Sequence, residues 1–207
     1  MDLYEAIEKR RTIRDFLDKP IPMETIKKII SAGLKAPTNN HLREWDFVII
    51  NDKKKRAEVL NLENMTDFDE CEKMLDSFGM TDKDQRGMYH IAMPKQFSML
   101  YECGCLVLPF FKLRKPLLEP TCLSDLNEFA SIWLCIENIL LASTAEGVFW
   151  GTRIPMQEEL EHIKKTLNHP DNYFMPCYIA LGYPSENAKI PVQKQINVED
   201  RLHFEKW

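Results

Sequence analysis

The chain has 207 residues, 44% of them hydrophobic, and a formal charge of −5 from 27 Lys and Arg against 32 Asp and Glu. That length and apolar share suffice for one sizeable core, and the acidic balance excludes a dedicated nucleic-acid binder, which carries a basic footprint over a whole face. Six cysteines are spread along the chain, and only Cys103 and Cys105 are close. Their Cys-Gly-Cys spacing is neither a zinc knuckle nor a redox CxxC. Residues 2–14 are too charged for a secretory h-region. The strongly apolar runs fall short of the roughly 20 residues of a membrane span. The expectation is a soluble, reduced, cytoplasmic protein that binds neither nucleic acid nor membrane.

The first element is a short amphipathic helix, Asp2 to Lys9, in which Leu3, Ala6 and Ile7 recur at i, i+3, i+4 and should be buried. It delivers Arg10-Arg11-Thr12-Ile13-Arg14, three cations and a hydroxyl within five residues. Guanidinium groups hold their charge and fork onto phosphate, and packed this closely they repel one another unless an anion lies among them. Taken alone, the cluster reads as a solvated basic helix end, where cations also suit the macrodipole. The rest of the chain shifts the reading toward an anion site.

Pro20-Ile21-Pro22 breaks the chain and can start a second helix near Met23, with Ile26, Ile29, Ile30 and Gly33 as its buried stripe. That helix must stop before Pro37. A polar loop from Ala36 to Glu44 feeds a strand over Trp45 to Ile50, and Lys53 to Glu63 reads as a charged surface helix. Residues 61–102, rich in methionine and in acidic side chains, have no clean period. They suit either a mobile cover over a pocket or a loosely packed helical insertion.

Cys105 to Phe111 reads as a buried strand in which Pro109 limits ladder pairing. From Ser124 or Asp125 a helix should run to about Glu146, apolar almost all round over Ile132–Ala142 and therefore central, with Gly147 as its cap. A membrane span is set aside here on length. A short strand, Val148 to Gly151, leads to a helix over Gln157 to Leu167, and Tyr178 to Gly182 is a further strand. The tail, 185–207, is charged yet carries Ile190, Val192, Ile196, Val198, Leu202, Phe204 and Trp207, so it should pack on something, a partner subunit being one candidate.

In this order, Arg-Arg-Thr-Ile-Arg-x-Phe after a first helix, Ala-Pro-Thr ahead of a Trp-initiated strand, a buried helix running into Ala-Glu-Gly-Val-Phe-Trp-Gly, and a terminal Ile-Ala-Leu-Gly-Tyr-Pro resemble the FMN-dependent nitroreductase family. The match covers roughly residues 2–50 and 124–207. It implies an α+β fold, a central mixed or antiparallel sheet flanked by helices, in a single FMN-binding domain over 1–207 with 61–120 as an insertion or lid. It also implies a homodimer whose C-terminal tail packs on the partner subunit, with FMN in clefts lined by both chains. Carried over, Arg10, Arg11, Thr12 and Arg14 would contact the FMN phosphate, ribityl chain and pyrimidine edge. Pro37, Thr38 and Asn39 would line the ring from the other subunit, Gly151 and Thr152 would offer backbone donors, and Lys194 would reach the phosphate. Two departures fall in the loop that touches the flavin. His41 stands where the family usually has Asn and Arg43 where it usually has Gln, while Glu44 replaces a Pro. Arg43 either adds charge at the ring edge or pairs with Glu44 or Asp46.

The implied activity is hydride transfer from NADH or NADPH through flavin N5 to a small-molecule electron acceptor, a nitroaromatic or quinone, by ping-pong. The alternative on the same scaffold is a flavin sensor or store with little turnover. No side chain is assigned a catalytic role, because the cofactor accepts and gives hydride itself. His90, His162, His169 and His203 are scattered without ligand spacing and read as surface or capping residues, so no metal is expected. Asp125, Glu137 and Asn138 are read as a polar network near the flavin, or else Glu137 and Asn138 satisfy each other or backbone groups inside the core.

Overall fold

A computed structural model describes residues 1–62 and 71–207 of the chain. Residues 63–70, including Glu63 and Met65, lie outside the described residues, and with them part of the stretch read as cover or insertion.

The sheet is built around β2 (Cys105–Lys112), which pairs antiparallel with β1 (Trp45–Ile50) on one side and with β5 (Tyr178–Gly182) on the other. Outside β5 lies β3 (Phe149–Arg153), and the two-residue β4 (Tyr173–Phe174) pairs with the far end of β2. All named pairings are antiparallel, which resolves the mixed-or-antiparallel expectation. Pairing of β2 with β5 ends at Val107 and pairing with β4 begins at Phe111. Pro109, which has no N–H to donate, falls in the gap.

Because β2 is covered on both faces, its side chains from Cys105 to Phe111 are apolar without alternation. Cys105, Val107 and Phe111 face one cluster with α2 (Met23–Gly33) and α7 (Asn127–Ala145), while Leu106, Leu108 and Phe110 face a second. That second cluster takes in α3 (Lys53–Leu60), α6 (Ser98–Glu102) and α8 (Gln157–Leu167). The resulting architecture is α+β, an antiparallel sheet between helices.

Three expectations need correction. In α1 (Leu3–Lys9), capped by Asp2 accepting from the Glu5 amide at 2.9 Å, only Ala6 is buried; Leu3, Tyr4 and Ile7 are exposed. The described part of the 53–63 helix stops at Leu60, where Asn61 takes a left-handed conformation (φ 51°) and caps it. The length argument against a membrane span also fails: with the 3₁₀ turn at Leu123–Leu126, α7 forms a 23-residue helical stretch long and apolar enough to cross one. What makes α7 a core helix is packing, since Ile132, Cys135, Ile136 and Ile139 are wholly buried against the sheet and α2. Gly147, at φ 72°, then ends it as expected.

The 71–102 stretch is helical: α4 (Cys71–Ser77) and α5 (Lys83–Ala92) form a hairpin. It has a small core of its own, Cys71, Leu75 and Met93 packed with Met74, Met80 and Tyr89. Arg86 ties the hairpin by reaching Glu72, Asp76 and the Met80 carbonyl. The methionines fill an irregular space that β-branched residues would not.

Candidate functional site

Between α1 and α2 the chain runs as an extended strap across the β3–β5 side of the sheet. Ile13 N donates to Trp150 O at 2.8 Å, Leu17 N to Tyr183 O at 2.8 Å, and Ser185 N returns to Asp15 O at 3.0 Å. Two glycines let the strap lie this close. A Cβ at Gly151 would stand 2.8 Å from Ile13 O, and one at Gly182 would stand 2.5 Å from the Phe16 ring. Thus Gly151, read as a backbone donor, also makes room for the segment that carries the arginines.

The strap sends its cations in different directions. Arg10 lies 3.6 Å by its Nε from Glu137 Oε1, with its guanidinium carbon 5.5 Å from the centre of the Trp150 ring. Arg11 folds back to donate to the carbonyls of Glu8 and Arg10 at the end of α1. Arg14 turns inward. Its Nη1 is buried with no hydrogen-bond partner among the described residues, and burial pushes its pKa below the ordinary arginine value. A guanidinium keeps its charge even so, so this is an uncompensated donor removed from water.

Two cavities meet along α5. The larger, 1190 Å³, is walled by Arg10, Arg11 and Thr12, by the start of α5, and by the tail from Ile190 to Gln195. Lys194 projects there and pairs with Asp82 at 2.9 Å. The Asp82 carboxyl is held low by the Gln85 amide and then by Lys194. The smaller cavity, 380 Å³, is lined by Arg14, Thr152, Gln96 and Arg153 among apolar neighbours, and Met88 lines both. Arg10, Arg11, Thr12 and Lys194 are therefore gathered at one mouth, and Arg14 and Thr152 at the adjoining one.

The loop residues stand apart. Thr38, Asn39 and Arg43 border only a 10 Å³ crevice near Ser131 on α7, while Pro37 and His41 are exposed. Asn40 organises the loop, receiving the Thr38 hydroxyl and the Leu42 amide at 3.1 Å each. His41 (φ 60°) and Arg43 (φ 47°) both sit in the left-handed region. Arg43 donates to the His41 carbonyl at 3.2 Å, and Glu44 is taken by Lys112 and Arg114. None of the three cavities combines this loop with the arginine strap.

Other singled-out residues resolve simply. Asp125 pairs with Lys115 and caps the Thr121–Cys122 turn, and these bonds hold its carboxyl well below the usual range. Asn138 donates to the Ala32 carbonyl at 3.4 Å. His90 pairs with Glu72, His162 meets the Glu58 carbonyl, His169 packs on Phe110 and His203 on Trp207. Sequence reasoning missed Gln96, Arg153 and Glu159. Their signal was faint: Gln96 lies in the stretch without period, and Arg153 and Glu159 look like separate surface charges.

Comparison with known proteins agrees with this geometry. The family model for the nitroreductase family matches residues 7–183. A Methanothermobacter thermautotrophicus protein provisionally named an NADH dehydrogenase/NAD(P)H nitroreductase is 26% identical over all of this chain and 88% of its own length. An iodotyrosine deiodinase from Haliscomenobacter hydrossis is 25% identical over 92% of this chain and 82% of its own. Among solved structures, a BluB-like flavoprotein from Clostridium difficile superposes with a TM-score of 0.70 at 22% identity, covering 100% of both chains. With the family match spanning both the strap and the sheet, the chain belongs to the nitroreductase family.

Proposed function

We propose that this chain is an FMN-dependent oxidoreductase that takes hydride from NADH or NADPH and passes it to a small-molecule acceptor, a nitroaromatic or quinone, by ping-pong. The observation that carries this reading is Arg14, a half-buried cation with its Nη1 unpartnered among the described residues, which lines a 380 Å³ cavity that adjoins a larger one rimmed by Arg10, Arg11 and Lys194. A cofactor with a phosphate at one end and an acceptor-rich ring at the other matches that sequence of donors. Arg10, Arg11, Thr12 and Lys194 would hold the phosphate and ribityl end, and Arg14 with Thr152 and the Gly151 backbone the ring. When bound, FMN supplies the hydride-transfer chemistry at N5. Arg14 would supply a fixed positive charge beside the bound ring, which favours its negatively charged reduced form.

We assign Pro37, Thr38, Asn39, His41 and Arg43 to the site of a second copy in a homodimer. Their separation from the strap supports this, as does exposed apolar surface at Leu3, Tyr4 and Ile7 and along the tail at Val192, Phe204 and Trp207. The experiment is the visible spectrum of the purified protein with the released chromophore identified, followed by NAD(P)H oxidation with a quinone. Stoichiometric FMN and rapid turnover support the reading, whereas a colourless protein that takes up no added FMN overturns it. Because relatives bear both nitroreductase and deiodinase names, the acceptor panel includes a halogenated tyrosine. The second reading, a flavin store, draws on the loop, where Arg43 is committed to the His41 carbonyl. It predicts bound FMN with negligible turnover.

A further inference from the structure

We infer that the buried Arg153–Glu159 pair is a positioning device that turns the amide nitrogen of Gln96 toward the Arg14 cavity, making Gln96 a donor that reads an sp² oxygen or nitrogen of the molecule bound there. The inference rests on the flavin reading above for the identity of that molecule.

Arg153, the last residue of β3, and Glu159, in the first turn of α8, have side chains only 6% and 3% exposed. Two charges this far from water must answer each other, and Arg153 Nη1 donates to Glu159 Oε2. The carboxylate is itself immobilised, since the same oxygen accepts from the Met156 amide at 2.9 Å at the start of α8, where the helix dipole favours an anion. The guanidinium carbon lies 4.2 Å from the centre of the Phe97 ring, so the group is held on its face as well as at its end. Arg153 is thus a rigid, charge-compensated group and not a second free cation in the cavity.

Its remaining edge does the positioning. Arg153 Nε donates to Gln96 Oε1 at 3.0 Å. An Nε–H can only donate, so the amide atom facing it must be the oxygen, and chemistry fixes the orientation of a group whose two ends otherwise look alike. The amide nitrogen, with two hydrogens, is left for the cavity that Gln96 lines. No carboxylate among the described residues borders that cavity; its polar lining includes Arg14, Thr152 and Arg153. A wall dominated by donors takes a ligand edge rich in acceptors. That chemistry has two sources, the carbonyl-bearing ring of FMN and the oxygens of a quinone or nitro acceptor, and they separate by which constant responds.

The test uses the full chain and the variants Q96A, E159Q and Q96A/E159Q, with Q96E as the isosteric control. FMN affinity is read by fluorescence titration, quinone KM by steady-state kinetics, and folding by the melting midpoint without flavin. Q96A and E159Q should each weaken the same constant by about tenfold, the cost of one lost hydrogen bond. The double variant should be no worse than Q96A, because Glu159 acts only through Gln96. Q96E, which still accepts from Arg153 but has lost the donors, should match Q96A without a lower midpoint. A loss in FMN affinity identifies the flavin as the molecule read, and a loss confined to quinone KM identifies the acceptor. If E159Q does not fold, the charge-neutral R153Q/E159Q pair replaces it with the same expectation. Additive losses, or Q96E at wild-type constants, overturn the inference alone. A wild-type chain that binds no FMN overturns the proposed function and the inference with it.

Discussion

Arg56 is buried and Arg14 half-buried, and they teach opposite lessons. Arg56 is 1% exposed and donates through its two terminal nitrogens to four backbone carbonyls, those of Tyr101, Cys103, Ile50 and Asn51, leaving only Nε without a partner among the described residues. It joins the end of β1 to the turn between α6 and β2 without any carboxylate. Arg14 leaves Nη1 with nothing to donate to. A guanidinium whose terminal nitrogens are both engaged belongs to the fold, while one with an open Nη at a cavity that its residue lines can answer a ligand, because an unmade bond costs about 1–3 kcal/mol. Folding supplies no partner for Arg14 Nη1 among the described residues. A ligand can.

The largest expected effect breaks the structural member of the comparison. Arg56→Ala strips four carbonyls of their donor and should lower stability by about 3 kcal/mol or more, read as a shift of the urea midpoint. Arg56→Lys should not rescue it, because a point-like ammonium cannot span carbonyls arranged for a planar fork. Arg14→Ala should do the reverse. FMN affinity should fall by about ten- to a hundredfold, as for a charge-assisted bond, while the flavin-free protein keeps or gains stability. If Arg14→Ala destabilises the flavin-free chain as Arg56→Ala does, the contrast between them is wrong and Arg14 is a structural residue.

A smaller effect tests how the strap is held. Gly182→Ala puts a methyl against the Phe16 ring, which has little room to move because the strap is hydrogen-bonded on both sides of it. The overpacking should cost about 1–3 kcal/mol and weaken FMN binding without touching an arginine. A variant that loses stability but binds FMN normally would mean the arginines find their places without the strap.

The same contrast explains what could be read from the sequence. The Arg10–Arg14 cluster, strand β1 and helix α8 follow from local chemistry: dense cations after a short helix, aromatic and β-branched residues in a run, apolar residues at helical spacing. Arg56 was hidden in Lys53-Lys54-Lys55-Arg56, which reads as a solvated charge run, although Arg56, Val59 and Leu60 share one helical face at i, i+3, i+4. Charge identity outweighed periodicity in that reading, and periodicity was right. Arg153 and Glu159 could not be paired from sequence, since six residues and a strand-to-helix turn separate them and only the fold removes both from water. Glu44 shows the other side of this limit. Its sequence neighbour Arg43 was one of the partners open to it, but β1–β2 pairing brings it Lys112 instead, with Arg114 completing the cluster. The identity of a partner is tertiary information even where the need for one is not.

The smallest effect concerns Arg10, which lies between the two extremes because its Nε is near Glu137 while its guanidinium still borders the larger cavity. A partly exposed pair at this separation is worth little, so Glu137 competes weakly with an incoming anion. Glu137→Gln should therefore tighten inorganic phosphate binding by roughly two- to fivefold at low ionic strength, and the gain should shrink as salt screens the pair. Acidification offers the same test in the unaltered chain. Burial raises the Glu137 pKa above its ordinary value, with Arg10 pulling the other way, so its carboxylate takes up a proton earlier than a solvated one as pH falls. Arg10 is then released, and phosphate binding corrected for phosphate's own ionisation should rise in the wild type but stay flat in Glu137→Gln. A parallel rise in both would show that some other group governs the cavity, and Arg10 would join Arg56 as a cation already spoken for by the fold.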